Sequence, residues 1–134
     1  MPNPISDLSE LLRSIAPRRN PGVYVFAVVP LDADLSGVAT IATFREAEGL
    51  TVVIEESEAI RANLAILFRA AWITLSVHSD LQAVGLTAAF ATALAEAGIS
   101  CNVLAAAHHD HLFVPVEEAE RAFECLRALQ NGVG

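Results

Sequence analysis

The sequence predicts an α+β protein in which short strands alternate with helices. The strongest signal lies between Ile73 and His78, where apolar residues alternate with polar ones, as in a strand that buries one face. Apolar residues then recur at helical spacing from Leu86 to Ala97, and Gly98 ends that helix. Further strands and a last helix follow. This order of elements, at this spacing, favours a ferredoxin-like architecture.

The remaining elements of the second half are equally well patterned. A strand is predicted over residues 99–105, because every second residue is apolar, and residues 110–115 return antiparallel to it. The last helix is predicted over residues 117–129, where Glu117 and Arg121 form a favourable pair four residues apart.

The first half carries weaker versions of the same elements. A helix is predicted over residues 7–15, where apolar residues recur at helical spacing, Asp7 with Glu10 resembles a capping box, and Pro17 ends the helix. The other predicted elements of this half are a turn at Pro21–Gly22, strands at residues 23–29, 38–44 and 50–55, at most one helical turn at 45–49, and a short helix at 57–64 capped by Ser57.

The boundary between the halves is predicted near residues 63–69, where the short helix ends and the best-patterned strand approaches. We therefore predict an N-terminal unit over residues 1–66 and a C-terminal unit over residues 67–134. A chain of 134 residues is long enough for two such small units that share a core. The alternative is one mixed sheet that spans both halves.

Composition excludes several classes of protein. Hydrophobic residues make up 54% of the chain, which excludes disorder and indicates an extensive core or a buried interface. No apolar run reaches the roughly eighteen residues that a membrane helix needs, and the N-terminus lacks the pattern of a secretory signal. We therefore expect a cytoplasmic protein whose two cysteines stay reduced.

The charge balance argues against nucleic acid and anionic membranes as partners. Eight arginines and no lysine oppose sixteen acidic residues, giving a formal net charge of −8. A surface of this charge repels polyanions, and Arg18 with Arg19 is the single basic pair in the sequence. A small neutral or zwitterionic ligand is therefore favoured over a polyanion.

Five segments of the chain resemble the ACT-domain superfamily, specifically small bacterial proteins of two ACT-like units. The matching segments are residues 24–26 (YVF), 43–51 (TFREAEGLT), 77–87 (VHSDLQAVGLT), 99–103 (ISCNV) and 108–115 (HHDHLFVP). The segments of the second half carry the specific match, and the N-terminal unit looks like a degenerate version.

The resemblance implies a fold and a class of function. The fold is a βαββαβ sandwich in each of two tandem units, with antiparallel sheets and helices on one face. The units associate through sheet edges or helices, and an amino acid binds at an interface between units. Larger ACT-containing enzymes carry a catalytic or DNA-binding domain. We expect none here, so any regulatory output goes to a separate partner.

The turn and helix start at residues 78–87 form the first candidate site. Ser79 or Asp80 can cap the helix, and Gly85 lets the backbone approach a ligand closely. The free N–H groups at a helix start suit a carboxylate, and the resemblance implies that residues 81–87 contact the effector. The alternative is a capped helix in which Gly85 serves tight packing of the helix on the sheet.

The affinity that an amino-acid ligand needs indicates that this site lies at an interface. Micromolar binding of an amino acid needs about 8 kcal/mol, whereas one anion contact supplies about 1–3 kcal/mol. Further groups must therefore enclose the pocket, and Asn102 is the best polar side chain for this. The predicted ligand-binding residues are His78, Ser79, Leu81, Val84, Gly85, Leu86, Thr87, Asn102 and Val103.

A metal site is the main alternative from another class. His109 and His111 lie on one face of an extended strand, as two ligands of a transition metal would, with His78 as a further ligand. The competing interpretation is a hairpin whose histidines pack at the sheet surface. Cys101 is predicted on the apolar side, where burial raises the pKa of a thiol, so we expect no nucleophile there. Arg45 either binds a ligand carboxylate or pairs with a glutamate.

We therefore interpret the chain as a regulatory module that is not an enzyme and needs no cofactor or metal. Its expected ligand is a small amino acid or a similar zwitterion, and its expected assembly is a homodimer or a higher homo-oligomer. The rival hypotheses are a metal-binding sensor that uses His109 and His111, and an assembly module that binds no ligand.

Overall fold

The structure is a computed structural model that describes residues 8–76 and 85–132, apart from the side chains of Ser9 and Leu11. It contains two compact units: a central unit, residues 21–71, and a terminal unit, residues 1–20 and 72–134. The helices and strands, in chain order, are α1 (Leu8–Arg13), β1 (Pro17–Val29), β2 (Thr40–Glu46), β3 (Gly49–Glu55), α2 (Glu56–Arg61), β4 (Ile66–Leu75), α3 (Leu86–Glu96), β5 (Asn102–Ala105), β6 (Asp110–Pro115) and α4 (Ala119–Gln130), with a 3₁₀ turn at Val116–Glu118 before α4.

The central unit has the strand order of a ferredoxin-like fold. Its strands lie in the order β2-β3-β1-β4, and β3 pairs antiparallel with both β1 and β2. Along the chain the unit runs strand, loop, strand, strand, helix, strand. A loop at residues 30–39 therefore stands where a βαββαβ unit has its first helix, which accounts for the degenerate look of this part of the sequence.

One face of this sheet forms the core of the central unit. Alternate residues of β1 and β3 point to that face, where α2 contributes Ala59. The loop closes the core in place of a helix, because Ala33, Leu35 and Val38 pack on the same cluster. The buried members of the cluster are Val25, Ala27, Val29, Val52, Ile54 and Ala59.

The terminal unit repeats the arrangement with strands from distant parts of the chain. Its strands lie in the order β5-β6-β4-β1, with α3 between β4 and β5 and α4 after β6. Residues 17–20 of β1 take the place of the fourth strand of a βαββαβ unit. As a result, β1 and β4 each contribute residues to both units.

Three helices pack together in the terminal unit. α1 contacts α3 and α4, α3 contacts α4, and α4 also contacts β6. None of the described helices is long and apolar enough to cross a membrane. The fully buried large side chains of this unit are Ile15, Ile73, Leu75, Phe90, Leu94, Leu112, Phe113 and Leu126.

The first strand is longer than the sequence pattern predicts. β1 begins at Pro17, so the expected turn at Pro21–Gly22 lies inside the strand. The reason is a contact between distant residues, since the Asn20 amide donates a hydrogen bond of 2.9 Å to the hydroxyl of Thr74 in β4. This bond adds to the hydrogen bonding between β1 and β4, which keeps the early part of β1 in the sheet despite its two prolines.

Two local predictions are wrong for identifiable reasons. Residues 45–49 form a two-residue hairpin instead of a helical turn, because Glu46 pairs with Gly49 across it. Ser57 does not cap α2, since it lies inside that helix and its hydroxyl donates to the carboxylate of Glu55 at 3.2 Å.

The predicted pair of Glu117 and Arg121 is also wrong. Arg121 pairs with Glu118 instead, and it donates a second hydrogen bond of 2.6 Å to the carbonyl of Ala97. The other boundaries differ by several residues: α1 ends at Arg13, β2 covers Thr40–Glu46, α2 ends at Arg61, β4 begins at Ile66 and β5 begins at Asn102.

Candidate functional site

The described part of the first candidate site is the start of α3. Gly85 occupies the N-cap with φ 99° and ψ −18°, Leu86 is buried, and Thr87 is exposed. The other residues predicted for this turn lie outside the described residues; they are His78, Ser79, Asp80, Leu81 and Val84.

Gly85 is accounted for by its backbone conformation. A φ of 99° lies in the left-handed region that residues with a side chain rarely adopt. A Cβ at this position would lie 3.5 Å from Cδ2 of Leu8, which is an ordinary van der Waals contact. Glycine is therefore favoured here by the turn itself, whether or not a ligand approaches and without a need for especially close packing.

The first turn of α3 keeps the positive partial charge of a helix start. No side chain of the described residues caps it, and no acidic residue lies in the turn. Ala89 donates the first intrahelical hydrogen bond, to the carbonyl of Gly85 at 2.9 Å. The amides of residues 86–88 therefore have no partner within the helix, and they favour an anion.

β5 carries the other two predicted residues, and it places them on opposite faces. Asn102 lies opposite Phe113 of β6, and Val103 lies opposite Leu112, so the two side chains point in opposite directions. Asn102 is exposed and Val103 is half-buried. A ligand on one face of β5 therefore contacts only one of them. β5 also ends the strand order, so its outer edge pairs with no described strand.

The structure reveals a polar network in the terminal unit that joins three strands. Trp72 donates its indole N–H to Nδ1 of His111 at 3.0 Å, and the Thr74 hydroxyl lies 3.2 Å from the same nitrogen. Asn20 donates to the Thr74 hydroxyl oxygen at 2.9 Å and to the Trp72 carbonyl at 3.2 Å. β1, β4 and β6 thus each supply a side chain to one site.

This network fixes the protonation state of His111. An indole nitrogen can only donate, so Nδ1 of His111 accepts and carries no proton. The oxygen of Thr74 accepts from Asn20, which leaves the hydroxyl proton of Thr74 to point to the same Nδ1. Neutral His111 therefore carries its proton on Nε2 and presents Nε2–H as a donor.

The surroundings of His111 oppose a positive charge on its ring. Burial lowers the pKa of His111 most, and His109 and Arg18 lower this pKa further, while Asp110 acts in the opposite direction. The pKa of Asp110 is itself raised, mainly by burial. The neutral ring that the hydrogen bonds require is therefore also the electrostatically favoured form.

Two adjacent arginines of β1 lie on opposite faces of the sheet. Arg18 lies close enough to His111 to lower its pKa, and it shares a face with Asn20 because side chains alternate along a strand. Arg19 instead lines a groove of about 180 Å³ with residues of α4, namely Ala119, Glu120 and Phe123. The single basic pair of the sequence is thus divided between two surfaces.

The geometry of the histidines gives little support to the metal alternative. The ring centroids of His109 and His111 lie 6.3 Å apart, and Nδ1 of His111 already accepts a hydrogen bond from Trp72. Within residues 8–76 and 85–132, no group of three or more His, Cys, Asp or Glu side chains is placed to hold a metal ion. His109 and His111 alone are fewer than the three protein ligands of a typical zinc site, and His78, the further ligand in this alternative, lies outside the described residues.

The two cysteines and Arg45 add no catalytic feature. Burial raises the pKa of the Cys101 thiol to about 11, so little of it is thiolate at neutral pH. Burial also raises the pKa of Cys125, whose thiol donates to the carbonyl of Ala93 at 3.4 Å. Arg45 is exposed on β2 and forms no ion pair with the described residues, so both interpretations of it stay predictions.

The residues of the polar network are poorly predicted by sequence patterns. Thr74 occupies a polar position of an alternating strand and is expected to face solvent, yet it is 0% exposed. Asn20 lies in a segment with the pattern of a loop, and Trp72 precedes the alternating pattern. Of the network, only His111 is predicted from the sequence as a site residue, and then as a metal ligand. When a polar residue is buried by residues that are far away in the sequence, its sequence neighbours show no pattern that indicates the burial.

Two models of the ACT domain match the chain in tandem, over residues 3–71 and 68–128. The first match alone spans 69 of the 134 residues. The chain belongs to the ACT-domain family. Its two ACT-like units and its ferredoxin-like α+β fold are thereby confirmed. The predicted boundary between residues 66 and 67 stays a prediction.

This ACT-domain protein is similar to several solved structures. A Vibrio cholerae protein of unknown function, described as a possible transport protein, is 48% identical, with a TM-score of 0.84 over 92% of this chain and 95% of that one. The ligand-free regulatory subunit of aspartate kinase from Thermus thermophilus shares the fold, with a TM-score of 0.65 and 10% identity over 87% of this chain and 97% of that one. None of the curated proteins matches this ACT-domain protein.

Proposed function

We propose that this ACT-domain protein is a cytoplasmic regulatory module that binds a small amino acid and does not catalyse a reaction. Membership of the ACT family, and the fold shared with a regulatory subunit of aspartate kinase, support a regulatory role. The observation that carries the ligand class is the start of α3, where Gly85 begins a turn that no described side chain caps and that holds no acidic residue. The carboxylate of an amino acid suits such a turn.

A second copy of the chain completes the site in this proposal. The amides of α3 supply about 1–3 kcal/mol, which falls well short of the roughly 8 kcal/mol of micromolar binding. β5 is an edge strand, and Asn102 is exposed on it. A strand of the partner copy that pairs with β5 would bring further groups near Asn102. The turn residues His78, Ser79, Leu81 and Val84 belong to the same proposed site.

The mechanism is a shift between assembly states. A ligand that binds better to the paired form than to the separate form stabilises the paired form by its difference in affinity. The regulated protein is then a separate partner that distinguishes the two forms.

A panel of the standard amino acids, measured by thermal shift and native mass spectrometry, tests the proposal. One or a few members should raise the melting temperature, and the same members should appear bound in the mass spectrum. A flat panel contradicts amino-acid binding. A bound metal ion without any response to amino acids would instead support the site at His109 and His111.

A matched pair of substitutions at Gly85 tests the position of the ligand carboxylate. Asn and Asp both tolerate the left-handed conformation better than other residues, and both can cap the helix. Only Asp adds a negative charge beside the ligand. Gly85→Asp should therefore abolish the thermal shift that Gly85→Asn partly retains. Equal behaviour of the two variants excludes a carboxylate at the start of α3.

A further inference from the structure

We propose that the terminal unit carries a second binding site, which takes a small organic carboxylate between Arg18, His109 and His111. Arg18 belongs to β1 and His111 to β6, and His109 lies in the hairpin that leads into β6. They share no residue with the proposed amino-acid site at the start of α3. The proposal of this second site can therefore be tested independently of the proposed function.

The donor at the centre of this site is Nε2–H of His111. Trp72 and Thr74 occupy Nδ1, so the ring cannot turn to offer the other nitrogen without losing both contacts. The chain of hydrogen bonds from Asn20 holds Thr74 in turn. A donor held in this way loses little conformational freedom when an acceptor binds, which favours recognition of an anion.

A positive charge lies near that donor. The Arg18 guanidinium lies close enough to His111 to lower its pKa, and the ring of His109 lies 6.3 Å from that of His111 between centroids. Arg18 is exposed and forms no ion pair with any residue in the described part of the chain. Among the described residues, the acidic group that acts on the pKa of His111 is Asp110, which alternation along β6 directs to the other face of the sheet and which is buried. A carboxylate would supply an acceptor that these donors lack among the described residues.

An apolar surface lies beside the charged groups. Leu104 of β5 pairs with His111, so both side chains lie on one face of the sheet, and Leu104 is 36% exposed. Trp72 is half-buried on the same face, and its ring stacks on Phe113 with centroids 6.1 Å apart. These side chains suit a ligand that has a short hydrocarbon part attached to its carboxylate.

The site discriminates against free amino acids. The ammonium group of a zwitterion would lie beside the Arg18 guanidinium and a histidine that already resists protonation. A simple carboxylate has no such group. Butyrate should therefore bind better than its amino derivative of the same length, and this order of preference is opposite to that of the proposed site at α3.

Trp72 makes the test direct, because it is the only tryptophan of the chain and it contacts His111. Butyrate at constant ionic strength should change the fluorescence of Trp72 in a saturable way. Butyramide, which has the same shape and no charge, should not. The imidazole signals of His111 in NMR spectra provide a second measurement, and they should shift with the same dissociation constant.

The adjacent arginines supply a matched control. Arg18→Gln should weaken butyrate binding about tenfold. Arg19→Gln removes the same charge one residue away on the other face, and it should leave binding within about twofold. Both side chains are exposed, so both variants should fold.

Three results would overturn this proposal. The first is the absence of a saturable response in both the fluorescence and the NMR measurement. The second is an equal response to butyrate and butyramide, which would show that charge is not recognised. The third is an equal loss of affinity in Arg18→Gln and Arg19→Gln, which would show that butyrate responds only to the net charge of the protein.

Discussion

Trp72 donates its indole N–H to Nδ1 of His111 across 3.0 Å, and this contact makes the protonation of one histidine a condition of the native structure. A proton on Nδ1 would turn the acceptor into a donor that faces the indole N–H. The hydroxyl of Thr74 would lose the same acceptor. The folded protein therefore selects neutral His111.

Acid should destabilise the protein through His111. In the folded state burial, assisted by His109, holds the pKa of His111 below its usual value of 6.5. As the pH falls below 6.5, the unfolded chain binds a proton that the folded protein excludes, so the free energy of unfolding decreases. Well above pH 6.5 the ring is neutral in both states, and the full contribution is present. Urea unfolding at several pH values on both sides of 6.5 measures this loss.

Two histidine variants separate this effect from other titrations. His111→Asn keeps an acceptor for the indole of Trp72 but cannot titrate, so it should lose less stability in acid than the wild type does. His108→Asn changes an exposed histidine outside the network, and it should keep the acid dependence of the wild type. If His111→Asn and the wild type lose the same free energy in acid, His111 is not the responsible group.

Thr74→Val should be costly although it preserves shape. Thr74 is 0% exposed, and its hydroxyl links Asn20 to His111. Valine leaves the Asn20 amide without that acceptor, and an unsatisfied buried polar group costs about 1–3 kcal/mol. Thr87→Val, the same change at an exposed position, should stay within about 0.5 kcal/mol. Similar midpoints of urea unfolding for the two variants would refute the role of the Thr74 hydroxyl.

Two phenylalanines distinguish the core from the surface. Phe90 on α3 is 0% exposed, whereas Phe44 on β2 is 67% exposed. Phe90→Ala should therefore lower the free energy of unfolding by about 3–5 kcal/mol, through lost burial and a cavity. Phe44→Ala should change it by less than about 1 kcal/mol. Chemical unfolding of both variants measures the two changes in the free energy of unfolding. A larger loss in Phe44→Ala than in Phe90→Ala would contradict the prediction.

Sequence patterns were sufficient where burial follows a local period. The strand at residues 110–115 has the predicted bounds, and α4 buries Ala119, Ala122 and Leu126 at helical spacing, as the pattern indicates. α4 buries one side against its own unit, so the position of each residue in the helical repeat indicates its environment. β6 is buried on both faces, since Leu112 and Phe113 are both buried, and there the pattern predicts the bounds of the strand alone.

Sequence patterns were insufficient where partners are distant along the chain. The early part of β1 lies in the sheet beside β4, where Asn20 bonds to Thr74, 54 residues away, and neither residue type predicts that contact. The same limit applies to the candidate sites. The glycine at the start of α3 was identified from the sequence, whereas the face formed by Arg18, Trp72 and His111 requires three strands to be in place.

The expected self-association can be tested at the two strands that end the strand order. β5 and β2 are those strands, one in each unit. The proposed function places the partner copy at β5. Ala105→Lys adds a charge on β5 at an exposed position, and a lysine on an edge opposes pairing with another strand. Light scattering should therefore show that this variant dissociates at concentrations where the wild type is a dimer or larger.

Thr43→Lys is the matched control, because it adds the same charge at an exposed position of β2. It should keep the assembly state of the wild type, since both variants lower the net negative charge equally and only one alters the proposed interface. If Thr43→Lys dissociates and Ala105→Lys does not, the interface between copies lies in the central unit. A wild type that is monomeric in light scattering, with and without the responding amino acid, would leave the ligand at α3 without the second copy that its affinity requires.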